Sequence, residues 1–152
     1  DRLASLVDIY PTIMQTVGAM DDGLPRPGIN LNDLSRAGSD DRAVLSEYHD
    51  GGSPVGMFML RQKRWKYNYY PGYAPELFDM HADPNELQDL ASDPAFAADR
   101  DECHRALSRI VDPDEANKRA FADQAKRIEA LGGIDKILAS EEFDHTPVPG
   151  TP

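Results

Sequence analysis

The stretch that decides the fold is MFMLRQKRWKYNYY, residues 57–70. Two runs rich in apolar and aromatic residues flank Gln62 and Lys63, and this spacing predicts an antiparallel hairpin with a two-residue connection. Three aromatic residues of the second run fall at alternate positions: Trp65, Tyr67 and Tyr69. This period of two predicts a strand that is covered on one face.

Two shorter segments add a strand on either side of this hairpin. They are AVLSEYH at residues 43–49 and ELFDM at residues 76–80. Helical periodicity before and after these strands supplies further elements that can cover the sheet. We therefore expect an α+β fold, in which a small antiparallel sheet of about four strands packs against two or more helices.

The chain begins with a helical pattern. In residues 3–17 the apolar side chains recur at spacings of three and four, which is typical of a helix buried on one face. Pro11 is compatible with this helix if Asp8 caps it, because proline is tolerated in the first turn, and Gly18 then ends it. Residues 19–41 show no sustained periodicity, so we expect a long surface connection.

Two longer helices are predicted near the other end of the chain. The first covers residues 95–111, and Asp112 is expected to cap the second, which runs to Leu131. A further short helix is predicted at residues 134–139. Residues 141–152 are rich in proline and threonine, and they are predicted to be extended.

Composition excludes several classes of function. Among 152 residues there are 16 Lys and Arg against 27 Asp and Glu, a net charge of −11, which disfavours nucleic acid and anionic membrane surfaces as partners. No apolar stretch approaches the roughly 20 residues of a membrane span. A single cysteine excludes an internal disulfide bond and a multi-cysteine zinc site, and low cysteine usage favours the cytoplasm.

Polar residues alternate after the fourth predicted strand, like the start of a calcium-binding loop: Asp79, His81, Asp83 and Asn85. Such a loop needs glycine at its sixth position and an acidic residue at its twelfth, and this sequence has proline and leucine there. A turn followed by a short helix explains the pattern better, so we expect no metal site in this chain.

The two side chains that resemble nucleophiles lack the surroundings that would activate them. Cys103 follows two acidic residues, which raise the pKa of a thiol, and we expect a packed structural side chain. Ser53 lies in GGSPVG, which is neither a nucleophile elbow nor a phosphate-binding loop. We expect no catalytic residue in this chain, and Ser53 remains a candidate pocket residue because loops at strand ends often line binding sites.

Two carboxylate–imidazole pairs are the better site candidates. Glu47 and His49 stand at the end of a strand, where a charge needs a partner or a cleft, and a structural ion pair is the alternative. Asp144 and His145 lie in the predicted tail, where a solvated chain end is the alternative. The aromatic stripe is more typical of a core, but aromatic rings with carboxylates also suit a cationic headgroup.

A series of motifs in this order resembles the C-terminal part of the type I sulfatases, members of the alkaline phosphatase superfamily. The motifs are SLVDIYPTI at 5–13, VLSEYH at 44–49, RQKRWKYNYY at 61–70, ELFDM at 76–80, DPNEL at 83–87 and DLA at 89–91. Within the family, SEYH together with Phe143, Asp144 and Pro147 is similar to the choline-sulfatase branch.

The resemblance implies a division of the chain and a set of missing parts. It assigns residues 1–18 to the end of a catalytic domain, 19–41 to a connection, 42–140 to a C-terminal α+β subdomain and 141–152 to a tail. The family's nucleophile is a formylglycine made within a C/S-x-P-x-R motif, but Cys103 is followed by HRAL, and the metal-binding aspartates are also absent.

The same resemblance implies the following partners and cofactors. The chain itself would hold no cofactor, whereas the longer protein would carry formylglycine and calcium or a similar divalent ion. The partners would be the missing N-terminal catalytic domain, a small sulfate ester and a second copy of the chain. Glu47 and Asp144 would meet a quaternary ammonium group, as in choline sulfate, and His49 and His145 would line or orient that site.

Two other functions stay open from the sequence. An acidic protein-interaction module that is complete as given would also explain the charge and the amphipathic helices. A phosphatase or phosphonate hydrolase relative is a further alternative, because the superfamily uses one architecture for both phosphate and sulfate chemistry and a fold does not fix a function.

Overall fold

A computed structural model describes residues 2–19, 23–36, 42–49 and 53–139. Its centre is a four-stranded sheet in which each strand pairs antiparallel with the next along the chain. The strands are β1 (Ala43–Tyr48), β2 (Met57–Gln62), β3 (Trp65–Tyr69) and β4 (Glu76–Asp79). The predicted α+β fold, with four strands and several helices, is confirmed.

The hairpin between β2 and β3 differs from the prediction by one residue. Gln62 pairs with Trp65, so the connection consists of Lys63 and Arg64. Lys63 has φ of 52°, in the left-handed region that glycine and asparagine occupy more readily. A lysine in the sequence does not indicate a left-handed backbone, and the turn was therefore predicted one position too early.

The helices flank the sheet in sequence. They are α1 (Ile9–Thr16), which a 3₁₀ turn (Leu6–Asp8) precedes, α2 (Leu31–Arg36), α3 (Ala97–Ile110), α4 (Pro113–Ala130) and α5 (Ile134–Ala139). The short helix α2 lies within the stretch predicted as a connection. Among the described residues no helix is both long and apolar enough to cross a membrane.

The predicted cap of α4 is confirmed. The Asp112 side chain accepts a hydrogen bond from the Glu115 N–H at 3.0 Å, which satisfies one of the free N–H groups of the first turn. At the other end Gly132 and Gly133 both have φ of 95°, and they separate α4 from α5.

The core lies between one face of the sheet and α3. One row of neighbouring side chains crosses all four strands: Leu45, Leu60, Tyr67 and Leu77. The last three of these are 0–2% exposed, and Cys103 and Leu107 of α3 are buried against them. Burying each such side chain stabilises the fold by roughly 1.5–3 kcal/mol, so this row and α3 form the centre of the subdomain.

Residues 80–93 form turns rather than the predicted short helix. The Asp89 carboxylate accepts the Leu77 N–H at 2.9 Å, and the Leu90 N–H donates to the Leu77 carbonyl at 2.8 Å. Glu86 adopts φ of 57°, which a helix cannot contain. Hydrogen bonds to the edge of β4 therefore hold these turns against the strand, and the helix predicted from the local sequence does not form.

Asp8 joins the N-terminal segment to the sheet. Its side chain is fully buried and accepts hydrogen bonds from the Ser5 N–H at 2.7 Å and from the Ile29 N–H at 2.9 Å. Arg42, directly before β1, donates to the two carboxylate oxygens at 2.7 and 2.6 Å. These bonds with Arg42, aided by the backbone N–H groups and opposed by burial, lower the pKa of Asp8 to about 2.

The expectation that the first helix is buried on one face is wrong for the described structure. No residue of α1 is buried, and Ile9 and Ile13 are 46% and 54% exposed. Leu6 and Val17, before and after this helix, are still more exposed. No other part of the described structure covers this apolar face. The surface that the helical periodicity predicts is therefore exposed there.

Candidate functional site

The end of β1 brings two of the predicted site residues together. Glu47 pairs with Phe58 across the sheet, and His49 follows the strand on the same side of the backbone. A Glu47 carboxylate oxygen lies 3.5 Å from His49 Nε2, and both side chains are partly exposed. The structure therefore confirms the carboxylate–imidazole pair, while a role in substrate binding stays a prediction.

The imidazole of His49 is fixed by packing on two sides. Its ring contacts the Phe58 ring edge to face, with centroids 5.2 Å apart and planes at 82°. On another side it lies against Gly56, where a Cβ atom would stand only 2.5 Å from Cε1 of the ring. Residue 56 must therefore be glycine for His49 to keep this position.

Residues 53–56 are tied to α4 at one point. The Gly56 N–H donates to Oδ1 of Asn117 at 2.7 Å, and within the segment the Ser53 hydroxyl donates to the Val55 carbonyl at 2.6 Å. The Gly56–Asn117 bond holds this segment next to the helix. Between residues 53–56 and α4 lies a groove of about 370 Å³, which we call the His49 groove. Its lining residues are His49, Ser53, Val55, Gly56, Ala120, Phe121, Gln124, Arg127, Ile128 and Leu131.

Glu47 does not line this groove. It borders a separate cavity of about 400 Å³, between β1 and the N-terminal segment, where Arg42 and Val7 are among the lining residues. The strand end thus divides the two predicted partners between two cavities, although their side chains remain in contact. Asp144 and His145 lie outside the described residues, so the predicted convergence of all four side chains stays a prediction.

The wall that α4 contributes was missed from the sequence. Five residues of this helix, and Leu131 directly after it, line the groove at spacings that place them on one face. Three of them are large and apolar yet 36–52% exposed: Phe121, Ile128 and Leu131. The sequence shows these side chains at helical spacing, but it does not indicate that they face residues 53–56, about seventy positions earlier.

The candidate metal pattern is used for turn formation. Asp79 accepts from Arg64 Nε at 2.8 Å and from the His81 N–H at 3.1 Å, so its carboxylate is already engaged. Within the part of the chain that the structure describes, no three His, Cys, Asp or Glu side chains come close enough together to hold a metal ion.

The other sequence candidates are structural. Cys103 is a buried free thiol whose pKa burial raises to about 11, which agrees with the expected packed side chain and disfavours a nucleophile. Tyr67, in the aromatic stripe, is 2% exposed, and its hydroxyl lies 3.2 Å from His104 Nδ1. Burial raises the pKa of Tyr67 to about 12. The stripe packs against α3 as core.

Comparison with known proteins shows similarity to sulfatases. No protein-family model matches the chain. Arylsulfatase K of Mus musculus is 36% identical over 103 residues, which is 60% of this chain and 18% of that protein. Arylsulfatase K of Danio rerio is 32% identical over 123 residues, which is 75% of this chain and 23% of that protein.

Solved structures agree with this similarity. A 2-O GAG sulfatase superposes with a TM-score of 0.55 and 31% identity, covering 78% of this chain and 26% of its own. The phosphonate monoester hydrolase of Agrobacterium radiobacter superposes with a TM-score of 0.53 and 25% identity, covering 71% of this chain and 25% of its own. The chain therefore spans about a fifth of the length of the curated relatives it matches. Similarity to sulfatases covers most of it, and none of these relatives is named a choline sulfatase.

Proposed function

We propose that this chain is the C-terminal part of a sulfatase-type hydrolase, and that it shapes the substrate pocket without supplying the reacting groups. The observation that carries the proposal is the match to a sulfatase structure over 78% of this chain but only 26% of that one. A shared subdomain of a larger enzyme explains this asymmetry. An independent interaction module would not require the same sheet, helices and sequence.

The chemistry favours a role in selectivity. Hydrolysis of a sulfate ester needs an activated oxygen nucleophile and a cation that stabilises the developing charge. The family resemblance implies formylglycine and calcium for these tasks, but this sequence lacks the C/S-x-P-x-R motif. The described residues contain no cluster that would bind calcium. We infer that both groups belong to another part of the enzyme.

The exposed face of the N-terminal helix is the surface we assign to that other part. Leu6, Ile9, Ile13 and Val17 present apolar side chains at helical spacing, and they are 46–84% exposed. Covering the exposed part of all four would contribute on the order of 4–7 kcal/mol, because full burial of one such side chain contributes roughly 1.5–3 kcal/mol. On this proposal residues 1–18 complete the catalytic domain and residues 42–140 form the C-terminal subdomain, joined by the Asp8–Arg42 pair.

The substrate that we propose is a sulfate monoester. The relatives include proteins named Arylsulfatase K and a 2-O GAG sulfatase, which favours sulfate esters as a class. A finer proposal is choline sulfate, with the Glu47 carboxylate attracting the quaternary ammonium group. Glu47 is 38% exposed and borders a cavity, so it is accessible for this contact. Substitution Glu47→Gln would then raise KM for choline sulfate and leave KM for a neutral aryl sulfate unchanged.

Phosphonate monoester hydrolysis is the second candidate. The similarity to the Agrobacterium radiobacter phosphonate monoester hydrolase, at 25% identity over 71% of this chain, is the observation that favours it. Sulfate monoesters carry one negative charge, as do phosphonate monoesters, so one pocket can accept both. The ratio of kcat/KM for matched aryl sulfate and aryl phosphonate substrates would decide between the two candidates.

The test uses the gene that encodes this chain. We expect an in-frame C/S-x-P-x-R motif upstream of Asp1, and divalent-ion-dependent sulfatase activity in the longer protein but not in this chain. The control replaces the Cys or Ser of that motif by Ala, which should abolish activity without unfolding the protein. An upstream start codon directly before Asp1 would refute the proposal and favour the interaction module, as would an inactive longer protein that carries intact motifs.

A further inference from the structure

The His49 groove has the two properties of a small-molecule site. Its volume of about 370 Å³ lies within the range of known ligand pockets. The hydrogen bond of 2.7 Å between Gly56 and Asn117 fixes the distance between its two walls, so the space is preformed.

The wall that α4 contributes includes one cationic side chain, Arg127. Gln124 and Arg127 stand three residues apart on the groove face of α4, so their side chains are neighbours and can donate to the same group. Arg127 has no ion-pair partner among the residues described here, whereas nearby Lys118 and Lys126 are paired with acidic side chains. In a chain of net charge −11, this leaves an accessible guanidinium beside a preformed space.

Much of the remaining lining is apolar. Phe121 and Ile128 of α4, with Leu131 directly after the helix, lie on one wall, and Val55 lies on the other. These three side chains are 36–52% exposed, although large apolar side chains are usually buried. A guanidinium next to an apolar wall recognises a ligand with an anionic group on a ring or hydrocarbon body.

We propose that the His49 groove binds a small organic anion, an aryl or cyclic sulfate or carboxylate, with its charged group on Arg127 and Gln124 and its ring against Phe121. His49 forms the opposite wall. The site lies within this chain and involves no bond breaking. It therefore stands or falls independently of the proposed hydrolase function.

The test is calorimetric titration of the full chain with 4-methylumbelliferyl sulfate, compared with neutral 7-methoxy-4-methylcoumarin. We expect saturable binding of the sulfate and a weaker response to the neutral ring. Substitution Arg127→Gln removes a charge-assisted hydrogen bond and should weaken binding by about tenfold or more. The matched control is Arg119→Gln, an exposed arginine of α4 that does not line the groove, and it should leave Kd unchanged.

A third variant tests the apolar wall. Phe121→Ala should also weaken binding of the sulfate, and circular dichroism should show that the variant is still folded at the titration temperature, because this side chain lies outside the core and is 44% exposed. Absence of saturable binding by the full chain would overturn the proposal, whether the groove is empty or covered by another segment. Equal losses in the Arg127 and Arg119 variants would also overturn it, since they would show attraction by net charge alone.

Discussion

Replacing Asp8 by Asn should be among the most destabilising polar substitutions in this chain. The wild-type carboxylate is completely buried and has a pKa of about 2, against 3.8 in an unfolded chain. At about 1.4 kcal/mol for each pH unit, this difference corresponds to stability on the order of 2 kcal/mol at neutral pH. The variant also leaves the guanidinium of Arg42, whose side chain is 15% exposed, without its counter-charge. We therefore expect a loss of 3–5 kcal/mol, the usual cost of breaking a buried pair.

The pH dependence of the same group has a definite sign. Because the pKa in the folded state is depressed, the stabilisation is fully present above pH 4 and is lost as the pH falls through 4 toward 2. Urea denaturation between pH 2 and pH 7 should show this slope in the wild-type chain, and the Asp8→Asn variant should lack that part of it. Hydrogen exchange would locate the effect, because the Ile29 N–H donates to Asp8 and should lose its protection.

A matched substitution separates this pair from surface charge. Asp33 is 57% exposed and lies 3.7 Å from Arg36, so Asp33→Asn should change stability by less than about 0.5 kcal/mol. A loss below 1 kcal/mol for Asp8→Asn would refute the reasoning. An unchanged acid slope in that variant would refute the assigned pKa.

Three further predictions follow from packing. Gly56→Ala places a Cβ 2.5 Å from the ring of His49 and should cost about 1–3 kcal/mol in thermal unfolding, whereas adding His49→Ala in the same chain should recover much of that loss. Leu107→Ala removes a side chain that is 0% exposed and should cost about 2–5 kcal/mol, while Leu138→Ala, at a side chain 77% exposed, should cost less than about 0.5 kcal/mol in the same urea titration. Cys103, which is buried with a pKa of about 11, should react with a thiol reagent at pH 8 far more slowly in the folded chain than in urea, and equal rates would contradict its burial.

The sheet was predictable because its information is local. Leu60 and Tyr67 each belong to a run in which side chains on one face recur at every second position. In the structure they are paired in one row of the core. The turn between β2 and β3 was predicted one residue too early, because the left-handed backbone of Lys63 is not indicated by the local sequence. The segment after β4 was wrongly predicted as helical, because Asp89 bonds to a strand twelve residues earlier and this contact outweighs local propensity.

The candidate site was predictable only in part. Glu47 and His49 are two residues apart, so a strand end necessarily brings them together. Arg127 and Phe121 line the same groove as His49 only because α4 packs beside residues 53–56, and a single sequence contains no signal for that packing. Local patterns thus identified one wall of the groove, whereas the other wall depends on tertiary packing.

The strand order β1-β2-β3-β4 has a consequence for how the chain reaches this structure. Every strand pairs with its neighbour in sequence, so each pairing closes a short loop and loses little chain entropy. Low contact order of this kind favours rapid folding, in which neighbouring strands pair one after another. Helix α3 then packs on the completed sheet. We expect the four-stranded sheet to fold quickly, before segments distant in sequence have been synthesised.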